Sequence, residues 1–529
     1  MTVPAPLPRG LKLWLGLSAA VPVVFALMAP WRVAGHDLDR LTPALAAALA
    51  LCLLGLVPAG SRRALSGLLR DGIAPVSRRS LGLAALAAAA FLARVVFARY
   101  GSLELSSWDT ILFFHQPIAA TVSGRPLFCD YTGASYLGIH GSYVLFAFTP
   151  LYALAASPFW LLAAQAVALA AGAAAAFLVA RRILGDDLAA ALLAGALLLN
   201  AHTARAAQYG FHVEAFYPLA IFLLWLGLLA RRPGFVAAGV LIAISVKEDS
   251  LLVLLGFAAV AALFHRRYRL AAAVAAAGTG SFLVTSRLVV PHFAGGAADR
   301  PWYAFYWSSW GDSLPQAALG MLRHPLALAR ALAHSGIPHL LEPLLFLPLA
   351  GPEGLVAALP QLVPYGAADY RPLREFAIYY SLSVLPFLFV GAAYGLTRLT
   401  RTLPRRRIGA LLVMAVCALD GAGYTFPRAE PAGGDIGPAL AALGPRPVRI
   451  QDTLYPHAGP GVGRRVLDKA HPLGAGESVL LFPGASPFPF TAAEMKELIR
   501  RLDADPALAR RETPHGLVLF SPRGGLQPQ

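Results

Sequence analysis

Asp109 stands in ELSSWDT, residues 104–110, a lone carboxylate just past an apolar run that ends at Tyr100. Four more clusters place ionisable side chains at the edges of apolar runs. They are His140 in GIHGS, His212 with Glu214 in FHVEA (211–215), Lys247, Glu248 and Asp249 in VKEDS (246–250), and Arg371, Arg374, Glu375, Tyr379 and Tyr380 in RPLREFAIYYS (371–381). An ionisable group within a membrane helix costs about 2.5–3.5 kcal/mol on insertion scales, so each is a functional candidate. A carboxylate can serve as general base for an acceptor hydroxyl. Arg, Lys and His can hold a phosphate, Arg through paired hydrogen bonds, and fixed cations stabilise a departing phosphate. Each residue also has a plain structural role open to it. Glu214 can cap a helix start, Lys247 to Asp249 can form a self-neutralising turn, His115 and His140 can be packing residues, and Arg371, Arg374 and Glu375 can be surface charges.

The elements that must position these groups are membrane helices. The chain has 529 residues, 57% of them hydrophobic and 14% charged, with a mean hydropathy of +0.61. That is too little charge to cover a soluble protein of this length. Apolar runs near 11–30, 41–59, 81–99, 137–158, 159–180, 188–204, 215–230, 234–246, 250–264, 270–290, 338–364, 377–397 and 408–425 predict an all-α polytopic membrane protein of about eleven to thirteen helices. The net charge of +16 does not point to nucleic acid. Its arginines sit in short clusters between apolar runs, at 61–80, 181–182, 231–232, 265–269 and 398–407, which is the positive-inside pattern. That pattern puts the N-terminus in the cytoplasm, with an uncleaved first helix. Residues 101–136, 201–214, 246–250, 291–337, part of 365–376 and those after about 426 then lie outside. The run 137–158 contains Gly138, His140, Gly141, Ser142 and Pro150 and is expected to be a broken or re-entrant piece, because otherwise the alternation of sides fails.

Three regions follow: residues 1–80 with two membrane helices and a basic loop, a membrane core over 81–425 with external loops 101–136 and 291–337, and a C-terminal region over 426–529. The aromatic stretch DRPWYAFYWSSWGD (299–312) reads as an interfacial helix or as a lid over a substrate. After 426, strands are expected at 447–451, 478–482 and 516–520, and an amphipathic helix at 491–505 opens with Thr491 and Glu494 at capping-box spacing. This is a small extracytoplasmic α/β domain. The cysteines, Cys52, Cys129 and Cys417, form neither a disulfide framework nor a metal-ligand spacing.

WDTILFFHQ (108–116), the run 138–185, YGFHVEAFYPLAIFLLWL (209–226), VLIAISVKEDSLLVL (240–254) and the segments 341–365 and 374–399 resemble the prokaryotic membrane proteins of the domain-of-unknown-function family numbered twenty seventy-nine. The resemblance extends over about 100–520. That family is in turn similar to the GT-C class of glycosyltransferases, multispan enzymes that take sugars from polyprenyl-phosphate donors. The resemblance implies a GT-C-like core set in the cell membrane and a lipid-linked sugar donor. It places the catalytic acid of the first external loop on Asp109. Substrate or phosphate contacts then fall to His140, His212, Glu214, Lys247, Glu248, Asp249, Arg371, Arg374, Tyr379 and Tyr380. The nearest second acid, Glu104, is five residues upstream of Asp109, wider than the family's tight acidic pair, so no cofactor is assigned, although the acids are compatible with a divalent cation. No GxxxxGK[ST] and no GxGxxG opening a helix is present, and a lipid-linked donor needs neither nucleotide motif. The alternative function is a secondary transporter or a flippase of lipid-linked substrates, which calls for midplane charges and internal repeats. A scaffold presenting its C-terminal domain to a partner is a third reading.

Overall fold

The computed structural model describes residues 67–523 apart from 74, 102, 295–301, 426–446, 459–462, 472, 475 and 513–515. The apolar runs expected at 11–30 and 41–59, Cys52 and the first part of the basic loop (61–66) lie outside the described residues.

The membrane core is a bundle of helices whose boundaries follow their sequence. Helix α1 spans Arg78–Gly101. Helix α2, Phe159–Leu184, is rich in alanine, carries Arg181 and Arg182 in its last turn and stops at Gly185, where φ is 65°. The arginines complement the helix dipole and the glycine accepts the left-handed turn that ends it. Helix α3, Asp187–Leu199, is capped by Asp186, whose side chain accepts from Ala189 N. The helical path then bends by 44° at Asn200, which caps α4, Ala201–Tyr209. Helix α5 covers Tyr217–Ala230, α6 Pro233–Val246, α7 Ser250–Leu263 and α8 Tyr268–Val284. Helices α9, Pro352–Gly366, α10, Leu385–Leu399, and α11, Leu403–Thr425, belong to the same bundle.

Among the described residues four helical stretches are long and apolar enough to cross a membrane, and five if the bent α3–α4 pair is one span. Helices α6 and α7, at 14 residues each, are about 21 Å long, shorter than the roughly 30 Å of a hydrocarbon core. The run 137–158 is broken, as its glycines and proline predict. It forms 3₁₀ turns at Tyr136–Gly138 and Tyr143–Phe148 before a short helix at Thr149–Leu154. A single apolar core joins α2, α3, α5, α7, α9 and α10, with Phe177, Trp225, Phe257 and Phe387 among its buried side chains.

Among the described residues the C-terminal unit is a five-stranded sheet with an α-helix packed on it. In chain order these are β1, Val448–Ile450, β2, Arg464–Val466, β3, Ser478–Leu481, α12, Ala492–Ala504, β4, Leu508–Glu512, and β5, Val518–Pro522. The spatial order is β2-β1-β3-β5-β4, with β1 parallel to both its neighbours and β5 antiparallel to β3 and β4. The Thr491–Glu494 capping box forms in both directions. Strands β2 and β4 have no sequence expectation behind them, since RRV and LARRE are short and basic rather than alternating. Met495, Leu498 and Leu502 of α12 bury against Val479, Leu481 and Phe520 of the sheet. Leu103, from the segment before Asp109, joins a second small cluster with Val448, Ile450, Leu454 and Leu480, so the sheet is seated directly on the Asp109 loop.

Candidate active site

The segments that carry the charged clusters share a local property: each interrupts a helix. Asp109 lies in the first turn of a π-helical segment, Trp108–His115. His212 and Glu214 lie between α4 and α5, where a 3₁₀ turn covers Val213–Phe216. Lys247, Glu248 and Asp249 fill the gap between α6 and α7. Interrupted helices release backbone and side-chain polar groups into the interior, which a membrane protein tolerates only where protein or a wet cavity receives them.

They converge on one cavity of about 1330 Å³. Asp109, His140, His212, Glu214, Lys247, Glu248, Asp249, Tyr379 and Tyr380 all line it. Four of them form a chain of acid, imidazole, acid and ammonium. Asp109 Oδ2 lies 3.2 Å from His212 Nε2, His212 Nδ1 lies 3.2 Å from Glu214 Oε2, and Lys247 Nζ lies 3.2 Å from Glu214 Oε1. The Asp109–His212 approach is an ion-pair contact rather than an aligned hydrogen bond, for Nε2 has no partner of good geometry. The His212 ring is stacked on Tyr379, centroids 3.4 Å apart, and its backbone N–H donates to Gln165 Oε1 at 2.8 Å. Asp109 is the open end of the chain, its side chain 22% exposed against 5% for Glu214.

A second pair lies alongside. His140 Nδ1 is 2.6 Å from Glu248 Oε1, and Gly141 N donates to Glu248 Oε2 at 3.1 Å. The Tyr303 ring stacks on His140. Asp249 accepts from Tyr217 Oη and from Tyr365 Oη, the latter at 2.6 Å. Buried charges are tolerated when paired and hydrogen-bonded, and these acids each have fixed partners. No group of three His, Cys, Asp or Glu side chains suited to a metal ion occurs among the described residues.

The turn that delivers His212 depends on glycine. Gly210 has φ of 114°, a conformation that L side chains rarely adopt. A Cβ there would run into Thr110 Oγ1, the atom that accepts from Phe211 N at 3.0 Å. The close approach of this backbone to the Asp109 segment sets His212 beside Asp109.

Two sequence expectations are corrected. Arg371 and Arg374 do not line the cavity. Arg371 Nε pairs with Glu375 Oε1 at 2.8 Å on the surface, its side chain 77% exposed, and the Arg374 carbonyl accepts from Gly336 N. They flank the turn that delivers Tyr379 and Tyr380 without reaching the cavity. His115 is also away from it, its Nδ1 3.0 Å from Tyr152 Oη. The cations lining the cavity with Lys247 are Arg99 and Arg205. Both sit at ends of apolar segments, so the rule that picked Lys247 would have found them. The aromatic segment 302–310 is a wall of the cavity through Tyr303, Tyr306 and Trp307, anchored by Trp307 Nε1 on Pro364 O at 2.6 Å and Trp310 Nε1 on Ala367 O at 2.8 Å.

The remaining contributor comes from the C-terminal unit. Asp452, which follows β1, lines the same cavity and is 1% exposed. Its Oδ1 accepts from Ser107 N at 3.0 Å and from Ser107 Oγ at 2.5 Å. Burial pushes its carboxyl up to about 6, with the Asp109 charge adding to the rise, against the pull of the Ser107 and Ser106 donors.

A helical bundle with an interior cavity of paired acids, imidazoles and a lysine is the fold and site of a membrane protein. The chain belongs to the family described as Predicted membrane protein (DUF2079), whose model matches residues 99–423. No curated protein matches it. Two crystal structures of ArnT from Cupriavidus metallidurans are similar to it at 15% sequence identity, each over 82% of this chain and 97% of that one. The structure bound to undecaprenyl phosphate gives a TM-score of 0.46 and the apo structure 0.47.

Proposed function

We propose that this protein is a membrane glycosyltransferase of the GT-C kind, moving a sugar from a polyprenyl-phosphate donor to an acceptor on the outer side of the cell membrane. The observation that carries this reading is the convergence of Asp109, His212, Glu214 and Lys247, from three separate interruptions of the helical bundle, in one cavity. The cavity also has an apolar wall of Ile139, Leu251, Leu252, Phe282 and Met321, which suits an isoprenoid chain beside a polar reaction centre. In this reading the N-terminus is cytoplasmic, and the C-terminal unit and Asp109 face outward, as the arginine clusters predict.

Asp109 takes the proton from the acceptor hydroxyl as that oxygen attacks the anomeric carbon. The bond from that carbon to the phosphate oxygen breaks, and polyprenyl phosphate leaves with the electron pair. His212, held by Glu214 and stacked on Tyr379, orients the Asp109 carboxylate. Lys247, with Arg99 and Arg205, which line the same cavity, offers positive charge to the leaving phosphate.

The test is sugar transfer in membranes supplied with candidate polyprenyl-linked sugars. Asp109→Asn should lower turnover by about 10²–10⁴-fold, the usual worth of a general base, while the protein remains folded and in the membrane. Full turnover by this variant would remove Asp109 from the role of base.

A further inference from the structure

The Asp109 loop is held from outside the bundle. Ser107, two residues before Asp109, is fully buried, and both its backbone N–H and its hydroxyl donate to one oxygen of Asp452, 345 residues further along the chain. The contact does not stand alone. Gln116 Nε2 donates to Tyr455 Oη at 2.8 Å, the Tyr100 and His457 rings stack with centroids 4.2 Å apart, and Trp108 meets Phe488 edge to face at 5.8 Å. Leu103 is buried among the sheet's own apolar residues. The segment from Tyr100 to Gln116 is thus clasped along its length by 450–458 and 488, and Asp452 grips the start of the turn that carries Asp109.

Such a contact is costly to build for packing alone. Burial disfavours the carboxylate, Asp109 on the same segment repels it, and Oδ2 of Asp452 has no aligned hydrogen-bond partner among the described residues. One Asp452 oxygen accepts both Ser107 donors, and those bonds fix the first turn of the π-helical segment, where Asp109 must meet His212.

We infer that Asp452 is a positioning residue: the C-terminal unit is part of the active site, and its Asp452 holds Ser107 so that Asp109 is set against His212 at the mouth of the cavity. This deepens the transferase reading and rests on it for the meaning of Asp109. The unit is therefore required for turnover as a clamp on the site.

The experiment uses the full chain in detergent micelles, as wild type, Asp452→Asn, Asp452→Ala and Ser107→Ala, with hydrogen–deuterium exchange read on peptides covering 104–112. Asparagine keeps an oxygen for both Ser107 donors; alanine removes it. Exchange over 104–112 should quicken about tenfold or more in Asp452→Ala, the loss of a hydrogen bond to a charged group, less in Ser107→Ala, and stay close to wild type in Asp452→Asn. In the transfer assay Asp452→Ala should lose turnover in kcat with KM little changed, and Asp452→Asn should recover most of it. Unaltered exchange in Asp452→Ala overturns the clamp. Faster exchange with wild-type kcat reduces Asp452 to a docking contact and overturns its positioning role. A wild-type protein without transfer activity would sink the transferase reading alone, since the exchange arm reads the clamp without any substrate.

Discussion

At the scale of single residues, the site is a set of buried charges that hold one another. Glu214 is nine-tenths or more buried and lies between His212 and Lys247. Removing one member of such a pair leaves an uncompensated charge in a poorly polar interior, which costs about 3–5 kcal/mol, whereas removing both is far milder. Lys247→Met should therefore destabilise the protein strongly, and Lys247→Met combined with Glu214→Gln should recover much of the loss. Thermal melting of the purified single and double variants measures the coupling; strictly additive effects would mean that the two side chains do not support each other. The residue rule that located Lys247 and Glu214, charge beside an apolar run, also marked Arg371 and Arg374. It cannot tell a charge turned into the bundle from one turned to solvent. Arg371 has Glu375 four residues on along the same helical face, a surface pair of the kind that contributes little.

At the scale of elements, breaks in helices decide where chemistry can sit. The GIHGS, FHVEA and VKEDS stretches each contain or adjoin residues that stop a helix, and each supplies a cavity side chain. The most demanding break is at Gly210, where the left-handed backbone presses against Thr110. Gly210→Ala should add about 1–3 kcal/mol of local strain and push His212 away from Asp109. Turnover should fall by roughly 10²-fold, since displacements of about 1 Å at a reacting group have that effect, with little change in the amount of protein in the membrane. Wild-type turnover in this variant would show that the tight turn is not what places His212. The α12 capping box and the broken run at 137–158 were legible in the sequence because cap spacing and Gly/Pro content act locally.

At the scale of the whole molecule, the C-terminal unit and the membrane core share a buried acid, and this makes their union sensitive to pH. The folded-state carboxyl of Asp452, at about 6, lies above the ordinary aspartate value of about 3.9. The folded protein therefore binds a proton that the unfolded chain has released between those values. The stabilisation attached to that proton is fully present below about pH 4 and is lost as pH rises through about 6, a change on the order of 2–3 kcal/mol. The groups facing Asp452 are Asp109, which strengthens this effect, and the Ser106 and Ser107 donors, which weaken it. Thermal midpoints taken from pH 4 to pH 7 should fall more steeply for wild type than for Asp452→Asn, and parallel curves would exclude the linkage.

The sequence by itself determined the class, the helix-rich core and the small sheet unit near the end of the chain, and of its eleven candidate side chains nine line the cavity. Hydropathy, the cost of burying charge, and cap spacing are all properties of short stretches, and short stretches are what a sequence displays. Only the tertiary structure decided which charges face one another. Asp109 meets His212 because a glycine turn brings distant backbone against its own helix, and Arg371 misses the cavity because its helix face points outward. Asp452 enters the site because a separate sheet folds back onto a loop 345 residues earlier. Contacts of that sequence separation leave no periodicity behind them, so no local pattern could have announced them.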